Sequence, residues 1–392
     1  MAGYIFLLDE ENALEECVKR GVYSTRLPHP NGYWKTFHEA TFADYITMRA
    51  GDNIYFFINR KIYGIGELVN IQWHGVDDID WEDCKFSNYP RAYEPIPQIY
   101  EEHREKLLYD IGVDSVNCRW ICTFKPQPHF FKSGIDMDEL LSSNPNAFKM
   151  LRVMQGVSFI KFDDAENQAF KDALLKINQE ALQNPIVGDN VFADDHRAVH
   201  ESIGSRLSAK YVLETQPLLD RCCEGDAIRH EMAIEIGLLY QLTTKDKETI
   251  DIFGKWDYLS HQVVASPFKP IIYMDKMDLF GYSYIVGHAP TRAEYLVGEI
   301  KKGAVNTGDV DQLMKYVDWV QEEYCFNDYS MIKAFLVAHV FGDDVIAHKK
   351  ERAIRMYTVG TRPARSLRWA KMRLVKYAYN ESSGKLDFQV MG

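Results

Sequence analysis

The chain has 392 residues, of which 46% are hydrophobic and 26% charged, which is typical of a soluble protein with enough apolar material for two or three domains. Its formal net charge of −12 argues against indiscriminate coating of nucleic acid. The first residues, MAGYIFLLDEEN, lack the pattern of a signal peptide, and no apolar run approaches the roughly 20 residues that a membrane span needs. We therefore expect a cytoplasmic protein with no membrane partner. The seven cysteines lack paired metal-ligand spacing, which favours free thiols over structural zinc.

The N-terminal half is rich in strand signals. GYIFLL is a candidate opening strand, and residues 50–71 predict a β-hairpin whose return turn is at residues 59–61. Gly64 and Gly66 alternate along the returning strand and leave bare backbone on one face. Such glycines often mark the close approach of another backbone or of a ligand.

The rest of this half alternates loops and helices. Residues 75–97 predict a long loop, and Ser143 with Asn144 and Pro145 predicts a helix start. Asp163 predicts the N-cap of a helix that runs to about Leu182. Residues 184–195 predict a linker before a connector helix from His196 to Tyr211, on which we expect His196 and His200 to face solvent.

The hairpin resembles the PUA-like superfamily, particularly EVE-type and YTH-type domains, at Gly51-Asp52 and at the strand from Ile62 to Val69. The resemblance implies a PUA-like β-barrel with flanking helices over residues 1–183 that reads a modified base. A flipped base is held by ring faces and by hydrogen bonds to its edge. Because the match lies in the hairpin alone, the pocket rings stay open, and core packing is the alternative for each candidate. The candidate rings are those of Tyr23, Tyr33, Trp34, Phe37, Trp73 and Trp81.

The C-terminal half contains the most informative pattern, YLVGEIKKGAVNTGDVDQLMKYV, residues 295–317. An apolar strand delivers Glu299 and Lys301 two residues apart, so both side chains point to one face of a sheet. A glycine-rich turn and a helix follow, with Gln312 and Tyr316 one turn apart on the helix. Asp278 ends an earlier apolar run. Two carboxylates from neighbouring strands can hold a divalent cation, and a nearby lysine can orient a water molecule.

This arrangement resembles the RecB-like branch of the PD-(D/E)XK nuclease superfamily. The resemblance implies a restriction-endonuclease-like α/β/α core with a mixed central sheet over residues 216–392, following a linker and connector at 184–215. It also implies Mg²⁺ or Mn²⁺ as cofactor. Asp278 and Glu299 would be metal ligands, Lys301 would position the attacking water, and Gln312 and Tyr316 would steady the site.

Three positions depart from the family or leave alternatives open. Met277 stands where the family has proline before Asp278, so Asp275 is a competing ligand. The family places an acid on the helix before the first core strand. Glu231 and Glu235 both fit that position, and Glu231 is preferred.

The positive charge is concentrated at the end of the chain, since residues 345–392 carry eleven Lys or Arg against three Asp or Glu. This segment predicts a surface that holds a DNA backbone, with a solvated face as the alternative. Arg362, Arg365, Arg368 and Lys371 are three residues apart, which on a helix makes a slowly drifting stripe. Pro363 argues against helix before Ala364.

A base-reading module joined to a nuclease indicates a modification-dependent restriction endonuclease that cuts DNA with methylated or hydroxymethylated bases, as in defence against phage. We expect a homodimer. A repair or structure-specific endonuclease is the main alternative. A nucleic-acid-binding protein that does not cut, with RNA as a possible ligand, is the alternative of another class.

Overall fold

The computed structural model describes residues 1–8, 11–26, 36–73, 81–87, 119–153, 159–183, 192–206, 212–266 and 274–391. The chain divides into two compact units, an N-terminal unit from Met1 to Pro217 and a C-terminal unit from Leu218 to Gly392. Each unit combines helices with a mixed β-sheet. Across these residues, no helix has the length and apolar character that crossing a membrane requires.

The elements of the N-terminal unit are mostly short strands with intervening helices. Its strands are β1 (Gly3–Leu7), β2 (Val22–Arg26), β3 (Asn53–Ile58), β4 (Lys61–Leu68), β5 (Ile71–Trp73), β6 (Trp81–Asp83), β7 (Lys85–Ser87), β8 (Arg119–Asp136) and β9 (Phe159–Phe162). Its helices are α1 (Glu11–Arg20), α2 (Thr36–Thr47), α3 (Met137–Ser143), α4 (Asp164–Ile177), α5 (Gln179–Gln183) and α6 (Phe192–Arg206).

The main sheet of this unit has the order β2-β8-β4-β3-β1-β9, with β7 also paired to β8. Strands β1 and β3 are parallel, and the other neighbours are antiparallel. The predicted hairpin is confirmed as β3 and β4. Its turn residues Asn59 and Arg60 both have positive φ, at 50° and 63°, as a two-residue turn that follows the strand twist requires.

The glycines of β4 are explained by the protein's own packing. A Cβ atom at Gly66 would lie 2.7 Å from Ile54 Cγ1, and one at Gly64 would lie 2.9 Å from Tyr55 Cδ1. The nearest neighbours at both positions are residues of β3, with Phe124 of β8 also 3.2 Å from a Cβ at Gly66, so these two glycines need no ligand to account for them.

Several local predictions for this unit were wrong. Ser143 and Asn144 end helix α3 rather than begin a helix, and strands β6 and β7 lie within the predicted loop at 75–97. His196 is buried at 4% exposure and its ring contacts the carbonyl oxygen of Val18, so it does not face solvent. His200 is half-buried, and its Nε2 bonds the carbonyl oxygen of Gly21. The cap at Asp163 is confirmed, since its side chain accepts the Glu166 N–H.

The C-terminal unit contains a six-stranded sheet and several two-stranded ones. Its strands are β10 (Cys223–Glu224), β11 (Ala227–Ile228), β12 (Tyr258–Ser260), β13 (Val263–Val264), β14 (Lys276–Met277), β15 (Leu279–Tyr284), β16 (Arg292–Ala304), β17 (Ile332–Val340), β18 (Arg355–Val359), β19 (Arg365–Trp369), β20 (Met372–Asn380) and β21 (Lys385–Met391). Its helices are α7 (Gln216–Cys222, which begins just before the division), α8 (Glu231–Thr243), α9 (Lys247–Phe253), α10 (Thr307–Tyr324) and α11 (Asp343–Arg352).

The six-stranded sheet has the order β12-β15-β16-β17-β20-β21. Strands β16, β17 and β20 are parallel neighbours, and the outer pairs are antiparallel, so the sheet is mixed. Helix α10 connects β16 to β17.

Helices cover both faces of this sheet. The ring of Phe253 in α9 packs 4.8 Å from that of Phe335 in β17, and the ring of Tyr324 in α10 packs 5.6 Å from that of Tyr295 in β16. Tyr295 is in register with Ile332, three residues from Phe335, so the two contacts lie on opposite faces. Glu299 and Lys301 share the face of Tyr295, which is the face that α10 covers.

Candidate active site

Strand pairing brings Asp278 beside Glu299. Leu279 of β15 is in register with Gly298 of β16, and the two strands are antiparallel. Asp278, one residue before Leu279, therefore lies beside Glu299, one residue after Gly298. One Asp278 oxygen, Oδ2, accepts the backbone N–H of Ile300 at 2.8 Å. The neighbouring-strand arrangement of these two acids that the sequence predicts is therefore present.

Glu299 and Lys301 form a close ion pair. Lys301 Nζ lies 2.5 Å from Glu299 Oε1, as the same-face prediction for two residues of one strand requires. Glu299 is 1% exposed, and its second oxygen, Oε2, has no hydrogen-bond partner in the part of the chain that the structure describes. A buried carboxylate oxygen with no donor is costly, because burial removes its water.

A third acid in the cluster is Glu235 of α8, which is 2% exposed. Gln262 Nε2 joins it to Asp278, lying 3.1 and 3.3 Å from the two Glu235 oxygens and 3.0 Å from Asp278 Oδ1. His261 Nδ1 lies 3.6 Å from Glu235 Oε2. We call Glu235, Asp278 and Glu299 the carboxylate cluster.

The geometry favours Glu235 over the preferred candidate Glu231. Glu231 is exposed and accepts only a long 3.4 Å bond from the backbone of Lys302. Both acids are on α8, four residues apart. Among the described residues, the buried Glu235 is the one that accepts from the Gln262 amide, which also donates to Asp278. Asp275, the competing ligand, is exposed, whereas Asp278 is half-buried.

Burial, together with nearby like charges, makes Asp278 and Glu299 hard to ionise. Burial, and then the charges of Glu235 and Glu299, raise the pKa of Asp278 well above its ordinary value. Burial raises the pKa of Glu299 to about 7, although the hydrogen bond from Lys301 opposes the shift. Burial disfavours the ammonium of Lys301, but its bond to Glu299 and the charges of Asp278 and Glu231 outweigh this and raise its pKa. Among the described residues, one ammonium, that of Lys301, thus pairs with the three carboxylates of the cluster, through Glu299.

Helix α10 supplies two more of the predicted residues. An Asn306 capping box begins the helix, and Gln312 Nε2 donates to the Tyr316 hydroxyl at 2.8 Å. Burial raises the pKa of Tyr316 to about 12, with the charges of Glu299 and Asp278 adding to the shift. Tyr316 belongs to the helix that covers the sheet face of Glu299. Gln312 holds its hydroxyl in place.

Of the aromatic residues proposed for the base pocket, the structure describes the side chain of Tyr23 alone. Tyr23 is buried and its ring stacks 4.0 Å from that of Phe6, so it belongs to the core rather than to a pocket wall. Tyr33 and Trp34 lie outside the described residues. For Phe37, Trp73 and Trp81 the structure describes the backbone only, which pairs Trp73 with Trp81 across β5 and β6.

The four basic residues of the predicted stripe, Arg362, Arg365, Arg368 and Lys371, are not on a helix. Arg365 and Arg368 lie on strand β19, so residues three apart point to opposite faces rather than along one stripe. The helical alternative for this stripe was wrong. Lys371 Nζ donates to the Ser330 carbonyl oxygen at 2.5 Å, which ties it to the body of the unit.

Sequence reasoning missed His261 and Gln262. They lie in the turn between β12 and β13, where Gln262 has a φ of 51°. Neither residue belongs to a recognisable spacing with the acids, so only the folded chain shows the contact.

The donor set suits a hard divalent cation, which binds carboxylate oxygens. Glu299 Oε2 has no donor among the described residues, and the charge of Glu299 adds to the causes that raise the pKa of the neighbouring Asp278. Within the described residues, no three of these acids each place an oxygen within 4.8 Å of the other two, so at most two of the acids, as placed, could hold one ion directly. Asp278 and Glu299 fit that role.

A scan against protein-family models found no match, and a search of curated proteins found no similar sequence.

Proposed function

We propose that this chain is a metal-dependent endonuclease of the PD-(D/E)XK type that cuts DNA carrying modified bases. The observation that carries the proposal is that Glu299, whose Oε1 is paired with the ammonium of Lys301, keeps a buried second oxygen, Oε2, with no donor among the described residues. Two buried acids and one half-buried acid, with one ammonium paired to them among the described residues, are unfavourable for folding alone, and such arrangements are typical of sites that bind a cation.

In the proposed reaction, water attacks phosphorus, one P–O bond breaks, and the departing oxygen takes up a proton. Mg²⁺, held by Asp278 and Glu299, would neutralise charge on the phosphate and lower the pKa of water. Lys301 stabilises the developing hydroxide through its ammonium, which the 2.5 Å bond to Glu299 fixes in position. Gln262 orients the carboxyl of Asp278, and Tyr316 closes the side of the cluster nearest α10.

The N-terminal unit is proposed to select the substrate as a PUA-like reader of modified bases. The confirmed hairpin supports this, because it contains the residues on which the resemblance rests. The proposed substrate is double-stranded DNA with methylated or hydroxymethylated cytosine. A homodimer in the cytoplasm belongs to the same proposal.

The test is to incubate the full chain and Mg²⁺ with matched DNA duplexes that carry unmodified, methylated or hydroxymethylated cytosine, and with mismatched duplexes, flaps and RNA. We expect cleavage of modified duplexes alone, and none in chelator. Cleavage of mismatches or flaps without regard to modification would favour the repair alternative. Binding with no cleavage of any substrate would favour the protein that does not cut.

A further inference from the structure

Strands β18 and β19 form a two-stranded antiparallel ribbon, residues 355–369, outside the main sheet. Five residue pairs are in register, from Arg355 opposite Trp369 to Val359 opposite Arg365. The ribbon contains four arginines and no acidic residue, in a chain whose net charge is −12. It is therefore a locally cationic element.

The two faces of the ribbon differ. Directly opposed residues of an antiparallel pair share a face. The inner face includes Trp369, whose Nε1 donates to the Ile332 carbonyl oxygen at 2.9 Å, and Tyr357, whose ring lies 5.8 Å from that of Tyr329. The outer face consists of four exposed side chains, those of Met356, Thr358, Ser366 and Arg368.

A bidentate ion pair anchors the base of the ribbon to α10. Arg355 Nε and Nη2 each lie 2.8 Å from an oxygen of Asp318. Asp318 is two residues from Tyr316, so the two side chains leave α10 in nearly opposite directions, roughly 200° apart around the helix axis. The ribbon and the carboxylate cluster therefore flank one helix about 10 Å wide.

The remaining arginines of the ribbon have no counter-charge in the part of the chain that the structure describes. Arg362, Arg365 and Arg368 are exposed and make no ion pair within the residues that the structure describes. Three such charges close together repel each other unless they meet an anion. Outward-facing hydroxyl and guanidinium groups also offer hydrogen bonds to a partner.

We propose that the ribbon enters the major groove of duplex DNA, with Arg368 bonding guanine O6 and N7 and with Arg362, in the turn of the ribbon, contacting a phosphate. The inference rests on the proposed function and deepens it, because it gives the C-terminal unit a base preference of its own. The major groove admits a two-stranded ribbon, and arginine on guanine is its commonest specific contact. The anchored inner face leaves the Arg368 face as the one that can approach the bases.

The test uses the full chain with Glu299→Gln, so that binding is measured without cutting. A duplex with methylated cytosine is compared with the same duplex in which deazaguanine, with C–H in place of N7, replaces guanine. That change alters the major groove and leaves the charge intact. We expect the analogue to weaken binding about fivefold or more, within the range of a bidentate base contact. Adding Arg368→Ala should make the two duplexes bind equally.

Two controls separate base contact from charge. Arg362→Ala should weaken binding to both duplexes by the same factor and lower the log–log salt slope by about one. Lys255→Ala removes an exposed charge just after α9, the helix that packs on the other face of the sheet from α10. This variant should change neither the affinity for the two duplexes nor the salt slope.

An analogue effect that is absent, or that survives Arg368→Ala, would overturn the groove assignment. The proposed function would stand in that case if the unsubstituted chain still cuts with Mg²⁺. A chain that neither cuts nor binds any nucleic acid would overturn both. The same arginine dependence on duplex RNA, but not on DNA, would overturn the choice of partner.

Discussion

The two units treat buried charge in opposite ways. In the N-terminal unit, each oxygen of Glu166 accepts a backbone N–H, from Met150 at 3.1 Å and from Leu151 at 3.0 Å. The two oxygens of Asp52 likewise accept the N–H groups of Ala2 and Arg49. These acids hold separate parts of the chain together.

In the C-terminal unit the acids instead face each other. Glu235 and Asp278 share one amide, and Glu299 keeps an oxygen with no donor among the described residues. Burial raises the pKa of Glu166 to about 8 and that of Glu299 to about 7. A raised pKa is thus common to both units, so it does not distinguish a functional acid from a structural one. The partners of the carboxylate oxygens do.

The largest expected effect tests this distinction with one substitution in each unit. Glu299→Gln should lower the proposed cleavage by about a thousandfold, because a charged ligand worth several kcal/mol of transition-state stabilisation is lost. Glu166→Gln should leave the cleavage rate of the folded protein unchanged. It should lower the free energy of unfolding by roughly 1–3 kcal/mol, since its amide NH₂ would face a backbone N–H. Cleavage assays and thermal melts of both variants measure the contrast.

Equal loss of cleavage in both variants would show that the hydrogen-bond partners of a buried carboxylate do not separate a functional acid from a structural one. Retained cleavage in Glu299→Gln would remove the carboxylate cluster from the mechanism. Lys301→Met is the companion variant, and we expect it to be inactive as well, because the ammonium that orients the attacking water is gone.

Much of the cluster could be predicted from the sequence because its parts are local. Glu299 and Lys301 share a strand, and Gln312 and Tyr316 share a helix face, so periodicity alone pairs them. The choice between Glu231 and Glu235 could not be made that way, since residues four apart lie on the same face. Only their depth of burial in the folded unit separates them.

The ribbon, in contrast, could not be predicted from the local sequence pattern. Arginines three apart fit a helical stripe, yet β18 supplies a partner strand, and pairing fixes β19 in extended form. The contacts of Gln262 could not be predicted for a related reason. They depend on a turn that places its side chain beside two acids from other elements. Contacts between distant segments require the tertiary structure.

A smaller effect is expected at Gln262, whose amide N–H groups orient two carboxylates. Gln262→Met keeps an unbranched side chain but has no donor, and should lower cleavage about 10–100-fold and raise the Mg²⁺ concentration that is needed. Gln241 is a matched control, because its amide bonds Thr249 Oγ1 and the backbone of Leu386 away from the acids. Gln241→Met should cost stability but keep the Mg²⁺ dependence. An unchanged Mg²⁺ requirement in Gln262→Met would leave that residue with no positioning role.

The smallest effect is a change of stability with pH in the metal-free protein. The pKa of Glu299 is raised in the folded state from 4.5 to about 7, so the folded form binds the extra proton more tightly than the unfolded form. Stability from this group is therefore present below about 4.5 and is lost as the pH rises to about 7, by at most about 3 kcal/mol. Glu166 acts in the same direction, whereas the lowered pKa of Lys161, about 7, acts in the opposite one.

Because those groups contribute in every variant, the difference between the unsubstituted chain and Glu299→Gln isolates Glu299. Gln keeps an oxygen for the Lys301 bond but cannot ionise. We expect the melting temperature of Glu299→Gln to exceed that of the unsubstituted chain near neutral pH, and the gap to close on acidification. Mg²⁺ should narrow the gap at neutral pH, since a cation stabilises the ionised acid that only the unsubstituted chain has. A gap that does not depend on pH would mean that the folded unit does not disfavour the ionised form of Glu299, which would contradict the raised pKa of this buried acid.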